Sequence, residues 1–237
     1  MVGRDLGAID GMVRARSGKR LPIVLERDEV RRIMERLEMP YLLVATLLYG
    51  SGLRLHEALS LRIHDLQLER GELVVRQGKG GRDRVTMLAT SATERLKGWI
   101  GRRAKQHARD LERDAGWVEL PDALHRKCPN AGKELGWQWL FPATRILNLS
   151  NGRRGRHPLH DSAVQRAVKE AVRSSGVSKP ATCHSFRHSF ATHLLQDGYD
   201  IRTIQELLGH KSVRTTMIYT HVLNRGGMGV RSPLDRM

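Results

Sequence analysis

The stretch from Cys183 to His221 gathers side chains suited to chemistry on a phosphodiester. His184 and Arg187 stand three residues apart, His210 follows in Leu-Gly-His, and Tyr219 lies in Ile-Tyr-Thr-His. A phenol can attack phosphorus, while guanidinium and imidazole N–H groups hold the oxygens that gain charge. Upstream, Arg54 follows a Gly-Ser-Gly turn. Glu57, one helical turn on, lies on the same side and can hold that arginine in place. Lys79 occupies the glycine-rich turn Gly78-Lys79-Gly80-Gly81, where an ammonium can reach a leaving-group oxygen.

Each residue also has an ordinary use. Arg54 and Glu57 can form a plain surface ion pair, and Lys79 can be turn chemistry. His210 can cap a helix end, and Tyr219 can be one more amphipathic ring. Metal chemistry is disfavoured. His184 and His188 have the i,i+4 spacing of a zinc pair, with His193 nearby, but Ser185 stands where a HExxH motif needs Glu. Arg187 would also place a fixed positive charge beside the cation. Asp110, Glu112 and Asp114 read as a solvated helix end rather than a two-metal carboxylate set. The Gly-Lys-Gly-Gly turn lacks the spacing and the Ser/Thr of a P-loop. No metal and no cofactor are expected.

The elements that must carry these residues are mostly helical. Val30, Ile33, Met34 and Leu37 share one helical face, a second helix follows Pro40, and a third covers Arg54–Leu61. Glu72–Arg76 and Arg84–Leu88 alternate like strands around the glycine turn. Thr90–Arg109 is helical and polar on one side. Val164, Ala167, Val168, Ala171 and Val172 recur at helical spacing within Asp161–Ser175, with Gly176 as the stop. Ser185–Gln196 ends at Gly198, Asp200–Leu208 ends at Gly209, and Ser212 can cap a helix running to Tyr219. The expected class is α+β, mostly helical, with a small antiparallel sheet.

Residues 1–20 are basic and glycine-rich without an apolar period, and read as a linker or the remnant of an upstream domain. Residues ~115–157 break the rhythm and read as an inserted subdomain. They hold Trp117, Trp137 and Trp139, then Arg153, Arg154, Arg156 and His157.

Composition points to the partner. The chain has 237 residues with 41 Lys plus Arg against 25 Asp plus Glu, a formal charge of +16. So large a surplus favours a nucleic-acid partner. No basic amphipathic helix supports a membrane surface, the apolar run Tyr41–Tyr49 is too short to span a bilayer, and no secretory signal is evident. Two distant cysteines, Cys128 and Cys183, suit a reducing cytoplasm.

Arg54, Lys79, His184-x-x-Arg187, Leu-Gly-His210 and Tyr219, in this order and at these intervals, resemble the catalytic domain of tyrosine recombinases over residues ~21–237. That resemblance implies attack by Tyr219 on DNA to give a 3′-phosphotyrosyl link, with Arg54 and Arg187 clamping the non-bridging oxygens. It implies that His210 donates to the same charge, Lys79 protonates the departing 5′ oxygen, and His184 assists proton transfer at the nucleophile. Glu57 would hold Arg54 without touching DNA. The reading requires the Tyr219 ring to lie near both guanidinium groups and to be reachable.

Within that family, the 115–157 segment and the ending Gly-Gly-Met-Gly-Val-Arg-Ser-Pro-Leu-Asp are similar to integron integrases. Those recombine gene cassettes as folded single-stranded hairpins with protruding bases. Trp137 and His157 are the candidates for stacking on such bases, with Arg153 and Arg154 as further DNA contacts, and Trp139 is assigned to the core. The family frequently has Ile after the first arginine and His-x-Leu-Arg, where this chain has Leu55 and His184-Ser185-Phe186-Arg187. The paired histidines of the integron segment appear as His157-Pro158. The resemblance implies a monomer when free and a homotetramer on DNA, with exchange of C-terminal segments between neighbours. Three alternatives stand beside it: a recombinase of duplex phage or chromosomal sites, a type IB topoisomerase, and a non-catalytic DNA-binding module.

Overall fold

The computed structural model describes residues 22–76, 83–120, 124, 127–150 and 152–220. The first twenty residues, the glycine turn with Lys79, and Val222–Met237 lie outside the described residues. Eight α-helices are present among those described: α1 Arg27–Met34, α2 Tyr41–Gly50, α3 Leu55–Leu59, α4 Thr93–Glu112, α5 Asp161–Ser174, α6 Cys183–Gln196, α7 Ile201–Leu208 and α8 Val213–Thr216. A 3-10 turn, Met217–Tyr219, follows α8. β1 Leu66–Gln67, β2 Glu72–Val75 and β3 Arg84–Met87 form one antiparallel sheet in that order, with Leu73 opposite Thr86. β4 Leu147–Asn148 and β5 Arg154–Gly155 form a second, two-stranded sheet. The fold is therefore α+β and mostly helical.

The helix boundaries follow from local chemistry. α2 is apolar all round and sits in the core, as such a helix must. α6 packs against it and buries Phe186 in a larger apolar cluster and Phe190 in a smaller one. Burying each ring contributes roughly 1.5–3 kcal/mol. Thr182 and Ser185 start α6 as a reciprocal capping box. Asp200 caps α7 by accepting from the Arg202 and Thr203 backbone N–H groups. Gly209 closes α7 in the left-handed conformation at φ 63°. The third helix is shorter than its apolar pattern predicts, because Arg54 is its N-cap and Ser60 its C-cap.

Two apolar clusters result. The larger runs from Leu25 to Phe186 and includes α2, the inner sheet face, α4 and α5. The smaller joins Phe190 and Ala191 of α6 to Ile204 and Leu208 of α7 and to Tyr219. The chain between α4 and α5 is only partly a separate unit. Leu140 and Phe141 belong to the main core, whereas Trp117, Val118, Ala131 and Leu149 are buried outside both clusters.

Arg62 stitches this segment to the body. It donates to the carbonyls of Trp137 (2.6 Å) and Glu119 (2.7 Å), and its guanidinium lies 4.1 Å from the centre of the Trp139 ring. Asp110 corrects the expectation of a solvated helix end. It is buried, 4% exposed, and takes both Arg156 nitrogens at 2.6 and 2.8 Å. Its partner lies far along the chain, so the local pattern could not reveal it. No helix among the described residues is long and apolar enough to cross a membrane.

Candidate active site

The site begins at the turn between α2 and α3. Gly52 has φ 64°, and an added Cβ would stand 2.5 Å from the Phe190 ring, so the position excludes a side chain. Its carbonyl accepts from Arg187. Arg54, as N-cap, gives its backbone N–H to Glu57 Oε2 (2.8 Å) and its guanidinium to Oε1 (2.7 Å). The same carboxylate receives Arg84 bidentately at 3.0 and 2.7 Å and has Arg187 at 3.7 Å. One buried carboxylate thus faces three guanidinium groups. Burial pushes its pKa up, but the hydrogen bonds from Arg84 and from Arg54, with the charge of Arg84, outweigh it and hold Glu57 at about 2.

α6 supplies the next residues. His184, Arg187 and His188 fall on one side of it at i, i+3 and i+4. Arg187 is 4% exposed and donates to the Leu208 carbonyl (2.7 Å) and toward His210 Nε2 (3.1 Å) as well as to Gly52. Burial and the nearby Arg54 charge lower its pKa to about 10, which still leaves it cationic near neutrality. His184 is exposed and lines, with Arg54, a cleft of about 850 Å³ between α3, α5 and the start of α6. Its pKa is lowered by burial of part of the ring and then by Arg187 and Arg54.

His210 follows Gly209 and is fixed at both ring nitrogens. Arg187 can only donate, so Nε2 accepts, and Nδ1–H donates to Thr216 Oγ1 at 3.0 Å. Burial, then Arg187, Arg54, Arg84 and His188, push its pKa down to about 4. This imidazole is neutral at rest. Donation to a phosphate from Nε2 therefore requires a proton there that the resting hydrogen bonds do not provide.

Tyr219 lies at the meeting point of these groups. Its hydroxyl is 3.1 Å from His188 Nδ1, and its ring stacks on His210 at 6.3 Å between centres and 10° between planes. The apolar side of the ring packs in the small cluster with Phe190, Ile204 and Leu208. Burial raises its pKa, opposed by the charges of Arg187 and Arg54 and a hydrogen bond from Arg187. The ring is near both guanidinium groups, as the sequence reading requires, but it is 1% exposed and so not reachable at rest.

Several placements differ from the sequence reading. Arg84 and Thr216 carry no signal in the sequence reading, and His188 enters it only as half of a zinc-type pair. The contact with the hydroxyl expected of His184 is made by His188. Lys79 lies outside the described residues. In the long segment, Trp137 is half-buried, with the His64 ring edge-on at 4.2 Å and Arg62 at 5.6 Å. His157 is half-buried, and its carbonyl accepts from the Ala143 N–H at 2.8 Å. Arg153 lies 3.6 Å from the Trp117 ring centre, which ties it to the segment's own packing. Arg154 is exposed and donates to the Arg113 carbonyl at 3.2 Å.

Comparison with known proteins decides the family. Residues 24–225 match the phage integrase family, a span that holds every catalytic candidate. This chain is a member of that family. It is 48% identical over 98% of its length to an integrase/recombinase of Escherichia coli, covering 69% of that protein. It is also 35% identical over 86% of its length to the tyrosine recombinase XerA of Pyrococcus furiosus, covering 59% of it. Among solved structures, the XerH site-specific recombinase bound to a palindromic difH substrate in a post-cleavage complex superposes with a TM-score of 0.62 at 26% identity. That match covers 89% of this chain and 52% of XerH. The integrase chain thus spans little more than half the length of some of its relatives.

Proposed function

We propose that this chain is the catalytic part of a site-specific recombinase that cuts and rejoins DNA through a covalent bond between Tyr219 and a 3′ phosphate. The observation that carries the proposal is the placement of one phenol among Arg187, His188 and His210, with Arg54 bound to the same carboxylate as Arg187. In this reading, Arg54 and Arg187 turn from the Glu57 side toward the two non-bridging oxygens. The Tyr219 oxygen bonds to phosphorus, the bond to the 5′ oxygen breaks, and Lys79 protonates the departing group. The ester is conserved in the phosphotyrosyl link, so a 5′ hydroxyl can reverse the step without nucleotide. The fixed cations supply the charge that a metal supplies elsewhere. A net charge of +16 supports binding to the DNA backbone with strong salt dependence.

The test is covalent trapping. Incubation with a nicked suicide site, then a denaturing gel, should give a protein–DNA adduct that persists in a chelator and is lost in Tyr219→Phe. A Tyr219→Phe protein that still forms the adduct would move the nucleophile to another residue, and a wild type that forms none while binding DNA tightly would leave only the DNA-binding module.

We further infer an integron-type substrate, a hairpin with extrahelical bases. The half-buried Trp137, supported from one side by His64 and Arg62, gives this reading its physical basis. Stacking a base on such a ring contributes ~1–3 kcal/mol. Trp137→Ala should weaken hairpin binding by ~5–150-fold on that figure while leaving duplex binding unchanged. Equal losses on both substrates would favour a recombinase of duplex sites.

A further inference from the structure

Arg84 lies outside the set of residues that the resemblance implies, yet it grips the buried carboxylate more fully than either clamp arginine. We propose that Arg84 is a positioning residue for the phosphate clamp: it holds and neutralises Glu57, so that Arg54 and Arg187 keep their charge for the phosphate. This inference rests on the recombinase reading above.

Three observations carry it. Arg84 meets both Glu57 oxygens, at 3.0 and 2.7 Å, as a fork that matches a carboxylate. Arg54 gives the same carboxylate one guanidinium nitrogen at 2.7 Å, and Arg187 stands 3.7 Å away. Arg84 is also tied down elsewhere. Its Nε donates to the Leu207 carbonyl at 3.0 Å, and its Cδ lies where Gly209 leaves room, since a Cβ there would stand 2.8 Å from it. Finally, exposure divides the arginines by task. The Arg84 side chain is 11% exposed, whereas Arg54 is 23% exposed and opens onto the cleft. On the same inward face of β3, Thr86 donates to the Ser51 carbonyl in the turn ahead of Arg54. None of these contacts involves Tyr219 or the 3-10 turn, so uncovering the ring does not require them to break.

Charge balance explains why the clamp needs such a residue. Three guanidinium groups less one carboxylate leave two positive charges. A phosphodiester enters with one negative charge and approaches two as the tyrosine oxygen adds, so the cage matches the state it must stabilise. Without Arg84 the balance falls to one. A buried carboxylate short of partners is costly, so Glu57 would then compete with the phosphate for Arg54 and Arg187. Burial raises the Glu57 pKa, and among the groups that bring it down to about 2 the hydrogen bond from Arg84 is the strongest. Arg84 thus frees the other two arginines without touching DNA itself.

The experiment is single-turnover adduct formation by the full chain on a nicked suicide site at saturating DNA, in a cycle of Arg84→Gln, Glu57→Gln and the double variant. Arg84→Gln should slow the step by ~10–10²-fold. The double variant returns the balance to two positive charges and should react at least ~10-fold faster than Arg84→Gln alone. A purely structural Arg84 predicts the reverse, since losing a second buried partner adds to the damage. Arg84→Lys keeps the charge without the fork and should stay within ~10-fold of wild type. With sulfur at the 5′ bridging position, a leaving group that needs no acid, the Arg84→Gln defect should persist. The inference is overturned if the double variant is no faster than Arg84→Gln. It is equally overturned if the sulfur substrate restores Arg84→Gln, which would place Arg84 on the leaving-group side. Should Arg84→Gln not fold in a urea titration, Arg84→Lys decides, and a folded Arg84→Lys more than ~10-fold slower than wild type overturns the inference. A wild type that forms no adduct on either substrate instead removes the recombinase reading itself.

Discussion

Replacing Glu57 by Gln tests whether one carboxylate organises the cationic cage. Glu57 accepts from Arg54 and Arg84 and lies 3.7 Å from Arg187, with its side chain 7% exposed. Its pKa falls from 4.5 to about 2 on folding. A depressed carboxylate pKa stabilises the folded state fully above the unfolded value, and that stability is lost as pH falls through the folded value. A shift of this size, at ~1.4 kcal/mol per unit, corresponds to about 3 kcal/mol, lost between pH 4.5 and about 2. Near neutrality, removing the charge from a buried ion pair costs ~3–5 kcal/mol. Urea denaturation of wild type and Glu57→Gln at a series of pH values measures both quantities, and urea leaves ion pairs unscreened. The wild type should be more stable by roughly 3 kcal/mol at pH 7, and the two curves should converge as pH approaches 2. Other carboxylates titrate in both proteins and cancel in the difference. Parallel curves, or a cost under ~1 kcal/mol at pH 7, the range of a surface pair, would refute the reasoning.

Further outcomes follow from neighbouring contacts. Gly209→Ala places a Cβ 2.8 Å from Arg84 Cδ in a backbone at φ 63°. It should cost ~1–3 kcal/mol in thermal or urea unfolding and lower the cleavage rate more than DNA affinity. Arg187→Lys keeps the charge but cannot span the Gly52 and Leu208 carbonyls and His210 at once. Adduct formation should fall by ~10²–10³-fold in a trapping assay. Asp110→Asn removes the charge paired with Arg156 beneath the long segment. Stability should drop by ~3–5 kcal/mol, and limited proteolysis should cut between α4 and α5 before it cuts elsewhere.

Much of this architecture can be read from the amino-acid order. The apolar spacing of Val164, Val168, Ala171 and Val172 marks α5, and Asp200 and Gly209 mark the ends of α7, because caps and helical periods are local signals. Arg54, Arg187, His210 and Tyr219 are brought together around Glu57 and α6. Other features depend on distant partners. In β3, hydropathy alone would turn Val85 and Met87 inward, yet these are 54% and 41% exposed. Arg84 and Thr86 face the body instead, because Glu57 and the Ser51 carbonyl offer them partners there. That inversion hid Arg84. Asp110 was hidden in the same way by Arg156. His188 shows in the sequence only as half of a helical pair, because its hydrogen-bond partner is a tyrosine brought in from beyond α7.

The sealed position of Tyr219 has a consequence for how such a protein can coexist with its own genome. On the recombinase reading proposed above, a phenol buried against two imidazoles is closed to stray polynucleotide, so cleavage has to wait until the ring is uncovered. On that reading, restraint and reactivity reside in the same ring.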